Sequence, residues 1–178
     1  MRRPVEMLKL ITVHLGAGSS VAAIAGGKPI DTSMGFTPLE GLMMATRSGD
    51  IDPAIILYLL KTHRLTVQEI DHALHKESGL KGIAGEEDMR TLLTRSDTRT
   101  LLALDMFIHR IRKYIGAYMA ILGGLDAIVM TGAIGAGSEY IRNRVIVGLD
   151  IFGDFRFLKV ETNEEKMIFQ HIQSLLKK

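Results

Sequence analysis

The sequence predicts an α/β fold built on a mixed sheet that begins antiparallel and is flanked by helices. Three observations carry the prediction. Near the start, short apolar runs are separated by glycine turns; from about Asp97 to Leu122 apolar residues recur at helical spacing; and a β-branched run at Leu125 to Met130 then passes through a glycine turn into another helical pattern.

Met7 to His14 (MLKLITVH) is a mostly apolar run leading to Gly16, as expected of a buried strand entering a turn. Ser20 to Ala25 is a second run, Gly26-Gly27 a tight hairpin turn, and Pro29 to Met34 a third strand. Asp50 and Asp52 precede Pro53, an N-cap followed by proline at the first helical position; Ile55, Ile56, Leu59 and Leu60 then define a helix ending near His63. Thr66 to Glu69 reads as a capping box opening a helix that stops before Gly79. In the long helix, Leu101, Leu104, Ile108, Ile111, Ile115, Tyr118 and Met119 form one apolar stripe, ended by Gly123-Gly124. After the strand at Leu125 to Met130, Thr131 to Gly137 (TGAIGAG) is a glycine turn, and Ser138 caps a helix to about Val147. A strand at Phe155 to Val160 and a helix from Asn163 onward complete the order, with no internal repeat.

At 178 residues, 47% hydrophobic and 24% charged, residues 1–178 are expected to form one domain around one core. The net charge is only +2, and the basic residues are interspersed with acidic ones, so the footprint of a nucleic-acid binder is missing. With no cysteine there is neither a disulfide framework nor a thiolate metal site. No signal-peptide pattern or unbroken apolar run of ~18 residues is present, which makes a cytoplasmic protein without membrane segments the expectation.

Candidate chemistry lies in the loops. His14 to Ser20 (HLGAGSS) places glycines and hydroxyls where backbone N–H groups can cradle a phosphate, and also fits an ordinary Gly-Ser hairpin, since no Walker lysine follows. The turn at Gly132 and Gly135 aims the following helix start at any occupant, and equally suits close packing. In Thr46 to Asp52 (TRSGDID), Arg47 either clamps an anionic group or pairs with Asp50 or Asp52. Asp88 and Arg90 suit a ribose and a base, or a solvated helix start. His63, His72, His75 and His109 lack metal-ligand spacing and read as surface or satisfied residues. The methionines between Met34 and Met44 read as core packing.

The run from His14 through Asp52, HLGAGSSVAAIAGGKPIDTSMGFTPLEGLMMATRSGDID, closely resembles the acetate/propionate kinase family. The resemblance continues through Glu77-Ser78-Gly79-Leu80, Asp88-Met89-Arg90, Tyr114-Ile115-Gly116-Ala117-Tyr118, DAIVMTGAIG from Asp126 to Gly135, and Glu161-Thr162-Asn163-Glu164-Glu165. It implies a ribonuclease H-like ATPase domain of the actin, hexokinase and Hsp70 superfamily. The activity it implies is transfer of the ATP γ-phosphoryl group to acetate or propionate, with Mg2+ as cofactor. By position, His14, Gly16 and Gly18 are expected at the nucleotide phosphates, and Arg47 at the transferred phosphoryl group as the catalytic residue. Asp88 and Arg90 are expected at the adenosine, Gly132, Ile134 and Gly135 against the nucleotide, and Glu164 on magnesium.

The chain also departs from the family pattern. Ala17 stands where the family has asparagine, and Ala133, Ala136 and Gly137 stand for glycine, glutamate and asparagine. The segment from Gly153 to Lys159 is shorter than the family's. The chain corresponds to the C-terminal nucleotide-binding half and has no counterpart of the N-terminal half, so it is expected to be incomplete or inactive by itself. The alternative is a degenerate, non-catalytic nucleotide-binding or dimerisation module, and the resemblance implies a homodimer.

Overall fold

The structure is a computed structural model and describes residues 3–176. Five strands form one mixed sheet in the order β3-β2-β1-β4-β5. β1 (Lys9–Leu15), β2 (Ser19–Ala25) and β3 (Lys28–Thr32) are an antiparallel meander. β4 (Ala127–Thr131) joins β1 in parallel, and β5 (Arg156–Lys159) extends β4 in parallel. The expected antiparallel start and mixed sheet are therefore present. Gly26 and Gly27 make the two-residue β2–β3 loop with φ of +58° and +77°, the backbone a right-twisted hairpin requires.

The helices are α1 (Ala54–Thr62), α2 (Val67–Lys76), α3 (Gly79–Ala84), α4 (Met89–Leu92), α5 (Thr98–Leu122), α6 (Gly132–Gly137), α7 (Glu139–Ile146) and α8 (Glu164–Leu176). The Thr66–Glu69 capping box is formed in both directions. α5 is unbroken through Asp105 and Arg110, as the stripe predicts. It starts at Asp97, whose carboxylate accepts from the Thr100 backbone N–H and hydroxyl, and it ends at Gly123 in the left-handed region.

The core follows from strand alternation. Ile11, Val13 and Leu15 of β1 and Val21 and Ala23 of β2 point to one face and are fully buried. α5 lies across β2 and β1 on this core, contributing Leu104, Phe107, Ile108, Ile111 and Ile115, while α3 and α7 pack on α5 and α6 packs on β1 and β4. Met43 and Met44 are buried, as expected of packing residues.

The structure departs from the sequence reading in four places. Leu101 is 45% exposed, because Thr100 and Ala103 occupy the inward positions of that turn. The chain does stop α2 before Gly79, but the short helix α3 follows at once. Gly79, at φ +64°, lies so close to the chain before it that a Cβ would sit 2.1 Å from the Met44 carbonyl oxygen. The segment expected as a glycine turn, from Gly132 to Gly137, is itself helical. The third strand is shorter than expected, ending at Thr32.

The Asp97 cap gives a pH-dependent stability. Its hydrogen bonds from the Thr100 hydroxyl and backbone, and the nearby Arg95, lower its pKa to about 2. A depressed carboxylate stabilises the fold above the unfolded pKa of roughly 4, and that stability is lost as pH falls toward about 2. Asp97→Asn keeps a capping side chain and removes only the charge. Its thermal midpoint should lie below that of wild type near neutral pH, with the gap closing between pH 4 and 2; a gap independent of pH would contradict the assignment.

Candidate functional site

β1 and β4 are parallel neighbours, with His14 opposite Thr131 at the last pair of their register. Both strands therefore release the chain at one edge of the sheet, where α/β proteins form their crevices. An open cleft of about 690 Å3 lies there. Gly16 and Ala17 of the β1–β2 turn form one wall, and Ala133, Ile134, Gly137 and Ser138 of the α6–α7 junction another. Glu87, Asp88, Met89, Arg90 and Leu93 around α4 form a third, and Ala45 also contributes.

The β1–β2 turn is fixed by the Gly16 N–H donating to the Gly18 carbonyl at 2.9 Å. His14 Nδ1 lies 2.9 Å from Thr131 Oγ1, which orients the imidazole across the β1–β4 pair. With its hydroxyl engaged there, Thr131 does not cap α6, and among the described residues no side chain accepts from the N–H groups of its first turn. Gly132 must be glycine: φ is +80°, and a Cβ would sit 2.4 Å from the Leu15 carbonyl oxygen. A Cβ at Gly135 would make only ordinary contacts with Leu15 and Val13, so the packing of α6 on β1 does not require glycine there.

Asp88 caps α4 through the Arg90 N–H at 2.9 Å and pairs with the Arg90 guanidinium at 2.7 Å. The Arg90 side chain and then its backbone N–H hold the Asp88 carboxyl below its usual range. Arg90 is otherwise exposed, leaving a planar cation at the rim.

Arg47 lies beside the cleft rather than in its lining. A Cβ at Gly18 would be 4.0 Å from Arg47 Nη1. The only polar partners of the guanidinium among the described residues are the Pro38 carbonyl at 3.5 Å and Met44 Sδ at 3.6 Å. Neither Asp50 nor Asp52 pairs with it: Asp52 caps α1 through the Ala54 N–H, and Asp50 binds Arg110 and Tyr114. The ion pair with Asp50 or Asp52, one of the two arrangements open for Arg47 from the sequence, is therefore not the one found.

Of the residues singled out from the sequence, Gly16, Asp88, Arg90 and Ile134 line the cleft. His14, Gly18, Arg47, Gly132 and Gly135 stand around its β1–β4 end. Glu164 opens α8, and its side chain lies outside the described residues. Among the described residues, no group of three or more His, Asp or Glu side chains is placed to hold a metal ion, so these side chains do not by themselves fit a magnesium site. His72 and His75 lie beside Glu77 and Asp71 on the surface, as expected of surface residues. Leu93 and Ala45 went unnoticed in the sequence and Met89 was noted only as part of the Asp88-Met89-Arg90 motif, since their apolar character carries no signal until α4 is placed. Thr131, the partner of His14, was visible only as the first residue of the glycine turn, and the structure makes it the last residue of β4 instead.

The cleft is thus bounded by the Gly16–Gly18 turn, the α6–α7 junction facing it, and an apolar wall at Met89 and Leu93 that carries the Asp88–Arg90 pair, with Arg47 beside it. The class is an α/β domain with a mixed sheet flanked by helices and a cleft at the strand ends. The chain belongs to the acetokinase family, whose match covers residues 1–168.

Among its relatives, the acetate kinase of Sulfurovum sp. (strain NBC37-1) is 54% identical over 153 residues, covering 84% of this chain and 39% of the relative. The acetate kinase of Caldicellulosiruptor bescii is 43% identical over 206 residues, covering all of this chain and 52% of the relative. The crystal structure of Porphyromonas gingivalis acetate kinase superposes with a TM-score of 0.93 at 34% identity, over 96% of this chain and 50% of that one. The fold class expected from the resemblance therefore holds. The chain spans about half or less of the length of these relatives. No helix among the described residues is long and apolar enough to cross a membrane.

The Gly132 contact gives a direct test. Gly132→Ala should cost about 1–3 kcal/mol in urea denaturation, because the new methyl meets a backbone oxygen at a left-handed position. Gly137→Ala, with open space around it, should be neutral or stabilising by up to about 1 kcal/mol. Equal losses at both positions would contradict the packing account.

Proposed function

We propose that this chain is the C-terminal, nucleotide-binding half of an acetate kinase-type phosphotransferase. It would bind ATP or ADP in the cleft and act together with an N-terminal half to transfer the γ-phosphoryl group to acetate or propionate, giving an acyl phosphate and ADP. The observation that carries this reading is the unpaired Arg47 guanidinium beside the Gly16–Gly18 turn, at the end of the cleft opposite no described carboxylate partner.

In this reading the backbone of Gly16 to Gly18 and the start of α6 receive the phosphates, with His14 held toward them by Thr131. Met89, Leu93 and Ile134 offer the apolar surface for the base, and Asp88 and Arg90 the polar rim for ribose and base. Arg47 neutralises charge on the phosphoryl group in transit, an electrostatic contribution that depends on position rather than on proton transfer. Magnesium would enter with the nucleotide and Glu164. The described side chains offer it no site, and the chain's own contribution is positioning.

The protein would act in the cytoplasm as a homodimer. Exposed apolar residues on α1 (Ile55, Leu57, Tyr58) and α8 (Ile168, Phe169, Ile172) provide surface for a second copy or for the N-terminal half. A second reading, a nucleotide-binding or dimerisation module without turnover, draws on one observation. Ala17, Ala133 and Gly137 line the cleft and bring no side-chain donor or acceptor to it.

Calorimetry with ADP and a hydroxamate trap for acyl phosphate test both readings on one preparation. The purified chain should bind ADP weakly and form no acyl phosphate from ATP and acetate. Adding a separately expressed N-terminal half should restore turnover, and Arg47→Ala in that complex should lower kcat by about 100-fold or more. Robust turnover by the chain alone would refute the half-site reading; no binding at millimolar ADP would refute the nucleotide cleft; binding without complementation would favour the second reading.

A further inference from the structure

Residues 33–53, between β3 and α1, contain no helix or strand, yet they place Arg47. Two carboxylates, Asp50 and Asp52, lie within five residues of this cation, close enough along the chain to neutralise it. Asp52 is used by the α1 cap. Asp50 is taken by α5, sixty residues away in sequence: Tyr114 Oη donates to Asp50 Oδ2 at 2.8 Å, Arg110 Nη1 to the same oxygen at 3.3 Å, and Arg110 Nη2 to the Asp50 carbonyl at 3.1 Å. The other carboxylate oxygen accepts the Gly41 N–H at 2.8 Å. Arg110 and Tyr114 are four residues apart on α5, so they project from one face and act as a fixed pair of donors. Tyr114 remains a donor through neutral pH, because burial and then the Asp50 hydrogen bond push its ionisation upward.

We propose that Arg110 and Tyr114 are positioning residues that sequester the Asp50 carboxylate, so that Arg47 stays unpaired and available to an anion beside Gly18. This inference rests on the reading of Arg47 as the phosphoryl-binding cation. A guanidinium paired with a neighbouring carboxylate has lost both its net charge and its fork of donors to a permanent partner, and an incoming phosphoryl group would have to displace it. Holding Asp50 from a distant helix removes that competitor, while the Asp50 backbone N–H, donating to the Gly41 carbonyl at 3.0 Å, keeps the segment in place.

The test is the preference of the full chain for ATP over ADP, measured by calorimetry, since only the γ-phosphoryl group reaches Arg47. A merely structural role of Arg110 or Tyr114 would weaken both nucleotides together. Arg110→Leu should remove the ATP preference by releasing Asp50 onto Arg47, and Arg110→Leu combined with Asp50→Asn should restore it. Tyr114→Phe changes no charge and deletes one hydroxyl, so it serves where Arg110→Leu fails to fold and excludes a through-space effect; it too should reduce the preference and be rescued by Asp50→Asn.

The same variants are read without ligand by the Arg47 Nε–H signal in 15N NMR. That signal should shift and its exchange slow in the single variants, and both should return to wild-type values in the double variants. An unchanged Arg47 signal in both single variants, or no recovery with Asp50→Asn, would overturn the proposal. Wild type lacking any ATP preference, with the NMR pattern as expected, would refute the phosphoryl role of Arg47 and leave the sequestration standing.

Discussion

β1 and β4 run side by side in parallel, with Ile11 opposite Ile128, Val13 opposite Met130 and His14 opposite Thr131, and this pairing fixes where every other part of the site can be. Because the two strands end together, the β1–β2 turn and the start of α6 emerge as neighbours. Gly132 then lets α6 descend onto β1 with only hydrogen atoms between it and the Leu15 carbonyl. His14 and Thr131 bond across the same pair, which orients the imidazole and leaves the first turn of α6 without a cap. The buried alternation of β1 and β2 under α5 holds the pairing in register, since a slip of one residue would turn Ile11 and Val13 toward the other face.

The second constraint is how residues 33–53 are held without regular structure. Their backbone groups bond to α2 and α3 rather than to each other alone: Ser48 N–H to the Leu74 carbonyl, Ser78 N–H to the Thr46 carbonyl, Leu80 N–H to the Met44 carbonyl and Lys81 N–H to the Ala45 carbonyl. Close approach at Gly41, Gly49 and Gly79, each at positive φ with no room for a Cβ, makes these bonds possible. Asp50 ties the far end to α5. The arginine is thus carried on a segment whose geometry is set by the helices around it.

What was legible in the sequence was what is local. The Gly26-Gly27 hairpin, the Thr66 to Glu69 capping box and the start of α5 at Asp97 are each decided within a few residues, and the structure has all three. The Gly16–Gly18 turn was legible as a turn, and the ordered run of motifs from His14 to Glu164 pointed to the family. Illegible were the contacts made across the fold. The apolar wall of Met89 and Leu93 depends on where α4 packs. The choice of Arg47 between an anion and Asp50 depends on Arg110 and Tyr114, whose distance in sequence hides the competition. The helical state of Gly132 to Gly137 was also hidden, because six residues of which five are glycine or alanine have no apolar periodicity to read.

The central claim is that the edge of the sheet formed by the carboxyl ends of β1 and β4 is a nucleotide site. Titrating the 15N-labelled chain with ADP and following backbone amide shifts residue by residue tests it most directly. The account predicts saturable shifts concentrated in Gly16 to Gly18, Glu87 to Leu93 and Gly132 to Ser138, with α1 and α8 silent. Saturable shifts centred elsewhere, or none at those three segments, would contradict it.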